Sequence, residues 1–363
     1  MLKLRNRCLT VLSLSAMLIA AGCGNQNNNT GSAGQTAAPA NSPAAKTASA
    51  PEAVKLNIKA SFYPMYEFTK NITGGLADVE ILVPAGTEPH DWEPSAQDMA
   101  GIAGADVLVY NGAGMEGWAQ QVIDGASGSK LVIVEASKEL DISSEEAHDH
   151  AHEEEAHDHE HDHAAEEEHD HDHEEGEHSH DHDHAHDHGG LDPHVWLAPS
   201  LAIKEVRTIE AALSAAYPEH AAAFKANADA YAAKLEQLDQ DYKTGLQNVK
   251  RKDFITQHAA FSYLAREYGL TQVPIAGLAP EQEPSAAQMA DIVDFAKEHE
   301  VKTIFFETLA SSSVAGTIAR EIGAKTAVLH PLEGLTEEEI SSNLDYIGIM
   351  RQNLAALQAA LNE

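Results

Sequence analysis

Hydrophobic and polar positions follow a strand-like and then a helix-like period along residues 54–136. Val54, Leu56, Ile58 and Ala60 alternate on one face of an extended segment, and helical spacing follows from Tyr63 to Ile72. The pattern then predicts a strand at 79–84, a helix at 95–104, a strand at 106–112, a helix at 115–125 and a strand at 130–136. Strands that alternate with helices are typical of a parallel sheet covered on both faces.

A second series with the same rhythm occupies the C-terminal part of the chain. It predicts strands at 253–257, 271–276, 302–307 and 325–330, helices at 261–268, 285–298 and 313–322, and one closing helix from about Thr336. Segments 93–102 (EPSAQDMAGI) and 283–292 (EPSAAQMADI) match at seven of ten positions, and each predicts a helix that begins after a capping serine. Convergent capping chemistry is an alternative explanation, but two similar lobes are the simplest one.

Two helices are predicted between these series. The first covers 199–216, and the second runs from Pro218 to about Lys250 with an unbroken apolar stripe. Some 30 residues in a helix extend over about 45 Å, which exceeds the need of one lobe. We therefore predict an α/β protein with two similar β/α lobes and parallel-type sheets, joined by one long rigid helix. The lobes cover 54–199 and 251–363, with connecting helices at 200–250.

The N-terminus has the pattern of a secreted, membrane-anchored protein. Residues 1–22 combine basic residues with a short apolar stretch and predict a signal peptide. Ala20-Ala21-Gly22-Cys23 resembles the lipobox of bacterial lipoproteins, although an unpaired cysteine at the edge of a signal is the alternative. Residues 23–53 are rich in Gly, Asn, Ser, Ala and Pro and predict a flexible tether. The predicted location is extracytoplasmic, with a fatty acyl anchor on Cys23.

The formal charge of −35 is concentrated in one segment. Residues 145–188, here called the histidine-rich segment, contain 20 acidic residues, 16 of the 22 histidines and no Lys or Arg. They belong to a loop of the first lobe, 145–190, that we predict to be disordered. The rest of the chain carries about −15, which argues against nucleic acid as a partner and favours a cation. Because Cys8 and Cys23 are the two cysteines, the predicted lobes have imidazole and carboxylate as their metal ligands.

Three histidines outside this segment stand in positions typical of ligands. His90 (PHDWEP) and His194 (PHVWLAP) each follow a proline and precede a tryptophan, so their side chains should be held stiffly. His258 follows a strand, at the carboxyl end where parallel sheets bind ligands, and Glu333 (VLHPLEGL) occupies a comparable place. These residues are far apart in sequence and can meet only between the two lobes. His220 and His299 lie in charged helical surroundings, and we expect them at the surface.

The chain resembles the zinc-specific branch of the cluster A-I substrate-binding proteins of metal ABC transporters, the ZnuA/AdcA type. The resemblance rests on EPHDWEPSAQD, the acidic histidine-rich insertion, DPHVWLAPS, ITQHAAFSYLAREYGL, FFETLASSSVA and LEGLTEEE, and it spans nearly the whole mature chain. It implies that His90, His194 and His258 match three histidine ligands and that Glu333 matches a carboxylate fourth ligand. Glu307, His330 and water are the alternatives for the fourth position.

The resemblance also implies a function. A monomeric receptor would bind one Zn²⁺ in the cleft between its lobes and deliver it to a membrane permease driven by an ATPase. The third imidazole, at a position where the manganese branch has a carboxylate, favours zinc. The histidine-rich segment would collect zinc or sense its excess, and an insertion without a transport role is the alternative.

Two other classes of function use the same residues differently. A zinc hydrolase also uses three histidines and an open position, but the sequence outside the histidine-rich segment lacks an HExxH motif and a placed general base. A surface adhesin or metal buffer would bind metal through the histidine-rich segment alone. The sequence therefore favours a receptor that is not an enzyme.

Overall fold

The computed structural model describes residues 55–143 and 190–363. Predictions for the signal peptide, Cys23, the tether and the histidine-rich segment concern residues outside these ranges. The first described series comprises β1 (Leu56–Ala60), α1 (Tyr63–Thr73), β2 (Ala77–Ile81), α2 (Ala96–Ala103), β3 (Val107–Tyr110), α3 (Ala119–Gly125) and β4 (Val132–Glu135). Its strands pair in parallel in the order β2-β1-β3-β4.

The second series repeats this topology. It comprises β5 (Asp253–Thr256), α6 (Ser262–Glu267), β6 (Thr271–Pro274), α7 (Ala286–Glu298), β7 (Thr303–Phe306), α8 (Ser313–Ile322), β8 (Lys325–Val328), α9 (Glu337–Ser341) and α10 (Tyr346–Leu361). The four parallel strands follow the order β6-β5-β7-β8. The two sheets therefore have the same strand order, which confirms the predicted pair of parallel α/β lobes.

Two helices, α4 (Pro199–Ala216) and α5 (Ala221–Leu246), connect the sheets. The 26 residues of α5 extend over about 39 Å. This helix contacts α1 beside the first sheet and α10 beside the second, so it runs along both lobes. Its buried positions include Phe224, Leu235 and Leu246, which belong to the predicted apolar stripe. None of the helices in the described ranges is long and apolar enough to cross a bilayer.

The largest hydrophobic core joins the lobes along α5. It includes Ile58 and Phe68 from the first lobe, Leu235 from α5, and Phe254 and Leu357 from the second lobe. Smaller clusters cover the other face of each sheet: α2 and α3 in the first lobe, and α7 and α8 in the second. Since one core is shared, the two lobes pack on each other through buried apolar surface.

The repeated segments at 93–102 and 283–292 begin helices of the same design. Ser95 caps α2 and Ser285 caps α7, and in each case the serine side chain accepts the backbone N–H of the residue three positions later. The residues at that position, Asp98 and Gln288, complete reciprocal capping boxes. The predicted starts of both helices are confirmed.

The prediction of one closing helix from Thr336 is wrong. The helix α9 ends at Ser341, Asn343 has a positive φ of 54°, and α10 begins after Asp345. The Asp345 side chain caps α10 by accepting the backbone N–H of Gly348 at 2.7 Å. Asparagine tolerates the left-handed conformation and aspartate is a favoured helix N-cap. The sequence Asn-Leu-Asp at 343–345 therefore ends one helix and begins the next.

An acidic side chain lies in the interior of the first lobe, on α4. Glu205 is fully buried, and neither of its carboxyl oxygens has a hydrogen-bond partner among the described residues. Burial, and then the charge of Glu116, raises the pKa of Glu205 well above its usual value. Burial also raises the pKa of Glu116 to about 7, although Ser61, Asn111 and Gly112 donate hydrogen bonds to its carboxylate.

We expect Glu205→Gln to stabilise the fold progressively as pH rises. A carboxyl group whose pKa is higher in the folded than in the unfolded chain costs stability above the unfolded value of about 4.3, at about 1.4 kcal/mol per pH unit. The difference in melting temperature between the variant and the wild type should therefore grow from pH 5 to pH 7. Glu236→Gln, at an exposed position of α5, is the control and should show no such growth. A constant difference for Glu205→Gln would contradict the expectation.

Candidate metal centre

Four side chains that are distant in sequence meet between the lobes: His90, His194, His258 and Glu333. Glu333 Oε1 lies 3.4 Å from Nε2 of His90 and 3.2 Å from Nε2 of both His194 and His258. The Nε2 atom of His194 lies 3.3 Å from that of His90 and 3.4 Å from that of His258. All four residues are at most 5% exposed.

These atoms lie at the corners of a small tetrahedron. The five measured edges are 3.2–3.4 Å long. A regular tetrahedron with such edges has its centre about 2.0 Å from each corner, which is the usual length of a zinc–nitrogen or zinc–carboxylate bond. Five of the six edges therefore have the length that a four-coordinate zinc ion requires.

Two of these ligand candidates lie on loops of the first lobe. His90 follows β2, and its backbone N–H donates to both carboxyl oxygens of Glu88 at 3.1 Å. His194 precedes a 3-10 turn at Val195–Leu197 that leads into α4. The carbonyl oxygen of Pro193 accepts a hydrogen bond of 3.1 Å from the Asn111 side chain, at the end of β3. The loop that carries His194 is thereby attached to the first sheet.

The other two candidates belong to the second lobe. His258 lies two residues after the end of β5, and its carbonyl oxygen accepts hydrogen bonds of 2.8 Å from Thr256 and Gln272. Glu333 follows β8 and a residue with left-handed backbone, Leu332, at φ 60°. This conformation costs a non-glycine residue roughly 1–2 kcal/mol. It is held by the Leu332 N–H, which donates to His330 Nδ1 at 2.8 Å. Strain of this kind is typical of segments that present a functional side chain.

Two carboxylates outside the tetrahedron orient its imidazoles. Asp192 Oδ1 lies 2.8 Å from His194 Nδ1 and accepts the backbone N–H of His194 at 3.0 Å. Glu307 Oε1 lies 2.5 Å from His258 Nδ1. A carboxylate only accepts hydrogen bonds, so each Nδ1 carries a proton, and each imidazole in its neutral form presents the Nε2 lone pair to the centre. Asp192 was not predicted from the sequence as a functional residue, although Asp192 precedes His194 by only two positions.

The structure places two alternatives for the fourth position outside the tetrahedron. Glu307 is directed at His258 Nδ1, on the far side of the imidazole ring from the tetrahedron. His330 is buried, but its Nδ1 accepts the Leu332 N–H and its Nε2 lies 3.2 Å from both Thr308 and Glu339. Glu333 is the carboxylate that contacts all three imidazoles.

The charges at the centre move the pKa values in different directions. Burial lowers the pKa of His90 to about 4. For His194, Asp192 and Glu333 outweigh the lowering effect of burial, so its pKa is raised. For His258, Glu307 and Glu333 outweigh burial and raise the pKa well above the usual value. Burial alone would raise the pKa of Glu333, but the three imidazoles hold it well below its usual value.

A second acidic group lies next to His90 and was also missed by the sequence analysis. Carboxyl oxygens of Glu88, Asp91 and Glu281 lie within 4.8 Å of one another, and Glu88 Oε1 is 4.0 Å from His90 Nε2. Burial, together with Glu333 and Glu281, raises the pKa of Glu88 to about 9. Burial and the neighbouring carboxylates therefore disfavour a negative charge on Glu88 beside the centre.

The two histidines expected at the surface lie outside the centre. His299 is 40% exposed on its side chain and stacks on Phe295 with ring centroids 3.9 Å apart. His220 is half-buried at the start of α5, beside Phe224. Neither belongs to the groups of potential metal ligands among the described residues.

Two parallel α/β lobes with a buried His₃-carboxylate centre between them define a class of two-lobed metal-binding proteins. Residues 58–360 match the family model described as "Zinc-uptake complex component A periplasmic" (ZnuA). The chain is 48% identical over 309 residues to the high-affinity zinc uptake system protein ZnuA of Bacillus subtilis (strain 168), across 85% of this chain and 88% of that protein. The chain therefore belongs to the ZnuA family.

Streptococcal relatives are similar in sequence and in fold. The zinc-binding lipoprotein AdcA of Streptococcus pneumoniae (strain R6) is 43% identical over 312 residues, which is 85% of this chain and 56% of AdcA. The crystal structure of the Zn(II)-bound ZnuA-like domain of S. pneumoniae AdcA matches with a TM-score of 0.67 at 40% identity. The match covers 85% of this chain and all of that one. These names describe binding and uptake, in agreement with the prediction that this protein is not an enzyme.

Proposed function

We propose that this protein is an extracytoplasmic zinc receptor that binds one Zn²⁺ through His90, His194, His258 and Glu333. The observation that carries the proposal is the buried tetrahedron of three Nε2 atoms and one carboxylate oxygen, with edges of 3.2–3.4 Å. Its dimensions match zinc, and three imidazoles favour zinc over manganese or magnesium. Zinc is the cargo here, so tight binding and later release are the whole task of the site.

The membership of the ZnuA family supports the finer parts of the proposal. The loaded protein docks on a membrane permease driven by an ATPase, and it acts as a monomer tethered by a lipid on Cys23. The name of the AdcA relative, a lipoprotein, supports the anchor. Both lobes contribute ligands, so the ion is released when the lobes move apart by a small amount.

The histidine-rich segment is an auxiliary part of the proposed receptor. It supplies many weak imidazole and carboxylate ligands, and its C-terminal end precedes His194 by only six residues. Attachment to the same chain gives ions bound there an effective concentration near the deep site that reaches about the millimolar range. The segment therefore collects zinc when zinc is scarce, or senses its excess.

A zinc titration tests the receptor function. The protein without residues 147–188, titrated in competition with a chelator, should bind one zinc ion tightly and should show no hydrolysis of ester or peptide substrates. Loss of tight binding on deletion would favour a metal buffer that uses the histidine-rich segment alone. Hydrolysis that is abolished by chelation would favour an enzyme.

The same deletion tests the auxiliary role. Cells that carry the shortened receptor should take up zinc normally when zinc is abundant and less well under chelation. Equal uptake at every zinc level would remove the role of the histidine-rich segment and leave the receptor function intact.

A further inference from the structure

Two side chains of α6, in the second lobe, hold the loop that carries His194. The Tyr263 hydroxyl donates to the carbonyl oxygen of Asp192 at 2.9 Å and accepts the backbone N–H of Ser143 at 2.9 Å. The Ser262 hydroxyl donates to Oδ2 of Asp192. Asp192 is thus held through both its backbone and its side chain by a helix of the second lobe.

Asp192 passes this constraint to the metal centre. Its Oδ2 accepts a hydrogen bond from the Ser262 hydroxyl. Its Oδ1 accepts hydrogen bonds from both the backbone N–H and the Nδ1–H of His194. The residue is 4% exposed, so water competes little for these hydrogen bonds. Because one rigid carboxylate joins α6 to the imidazole, the orientation of His194 depends on where α6 lies.

His258 is held differently. The partner of its Nδ1 atom is Glu307, which directly follows β7. The carbonyl oxygen of His258 accepts a hydrogen bond from Gln272 of β6. Both partners belong to the lobe that contains His258 itself. The second lobe therefore aligns His258 without help from the first. His194 differs, because its loop is attached to the first sheet through Pro193 and Asn111 while its imidazole is oriented by the second lobe.

The Tyr263 ring is fixed in place independently of its hydroxyl. It is 1% exposed and packs with Val195 and Ala198. The Arg266 guanidinium lies over the ring at 4.9 Å and also donates to the Ser143 hydroxyl at 2.7 Å. A phenylalanine at this position keeps the packing and removes only the two hydrogen bonds of the hydroxyl.

We propose that Ser262 and Tyr263 are positioning residues for zinc binding. They fix Asp192, and through it His194, so that this ligand is aligned only when the two lobes are docked. The inference rests on the proposed function and extends it: contact between the lobes and completion of the ligand set are one event. Separation of the lobes misaligns His194 as well as moving it away, which promotes release of zinc.

The test compares zinc affinity in the full chain, by competition with a chelator that outcompetes weak sites. We expect Tyr263→Phe and Ser262→Ala each to weaken zinc binding several-fold, with the about 10–100-fold cost of losing a direct partner of a ligand, here Asp192, as the upper bound. The visible absorption of Co²⁺ bound in place of zinc should also change, since it reports ligand geometry. Ser262→Thr should restore both. The control, Tyr242→Phe, removes an equally buried hydroxyl that donates to Met350, and it should change neither.

A double-mutant cycle separates positioning from general destabilisation. In an Asp192→Ala background, Ser262→Ala should have no further effect on affinity, because the carboxylate through which Ser262 reaches His194 is already absent. In a Glu307→Gln background, Ser262→Ala should keep its full effect. Wild-type affinity in both Tyr263→Phe and Ser262→Ala, or an undiminished effect of Ser262→Ala in the Asp192→Ala background, would overturn the inference. Failure of the wild type to bind zinc tightly would instead overturn the proposed function.

Discussion

Replacement of His258 by alanine is expected to weaken zinc binding by well over about 100-fold, more than the loss of an outer hydrogen-bond partner usually costs. The His258 Nε2 atom forms one corner of the tetrahedron, 3.2 Å from Glu333 Oε1. Its removal leaves three protein ligands and a cavity in a buried site. It also leaves Glu307 buried without the imidazole that it holds, which adds a cost to the folded state. Competitive titration with a chelator measures the affinity.

Two other histidines make the result specific. His220→Ala removes a half-buried imidazole at the start of α5, and His299→Ala removes an exposed one; neither residue belongs to the tetrahedron. Both variants should keep tight one-to-one binding. Circular dichroism should show that His258→Ala remains folded at the temperature of the titration.

The outcome also separates the classes of function. If His258→Ala bound zinc as tightly as the wild type, the buried centre would not be the high-affinity site. The histidine-rich segment would then be the remaining candidate, as in a metal buffer. Equal losses in His258→Ala and His220→Ala would indicate a general effect on folding.

The three histidines at the centre could be predicted because each stands in a strong local context. A strand end before His258 and proline-tryptophan frames around His90 and His194 are visible in the sequence, and the matching lobes imply that they meet. The choice between Glu333 and Glu307 was not visible. Both residues follow strands of the same sheet. Only the folded structure shows that Glu333 lies at the imidazole Nε2 atoms and Glu307 at the Nδ1 atom of His258.

Residues that orient the ligands were harder to predict, because they act across long separations in sequence. Tyr263 contacts Asp192 over 71 positions, and Asn111 contacts Pro193 over 82. No periodicity or motif encodes such pairs. The break between α9 and α10 differs, because Asn343 and Asp345 are local signals that outweigh the helical apolar pattern around them.

The affinity for zinc is expected to fall steeply with acid, and to begin falling above the unperturbed histidine value of about 6.5. Zinc binds neutral imidazole, so it must displace protons from the centre. The pKa of His194 is raised and that of His258 is raised well above its usual value, so both imidazoles are protonated more readily than a free histidine. A raised pKa means that full affinity is present above that pKa and is lost as pH falls through it. His90, with a pKa of about 4, adds to the loss only in strong acid.

Each displaced proton lowers affinity by about tenfold per pH unit, so one to two protons give a loss of about 10–100-fold per unit between pH 7 and pH 5. Calorimetry at pH 7 in two buffers with different ionisation enthalpies should detect the released protons. Glu307→Gln is the matched variant: its amide oxygen can still accept the Nδ1–H of His258, but it lacks the charge that raises the pKa. Its affinity should therefore begin to fall at a lower pH than that of the wild type. Constant wild-type affinity from pH 7 to pH 5, or binding without proton release, would contradict the assignment of His194 and His258 as the protonated ligands.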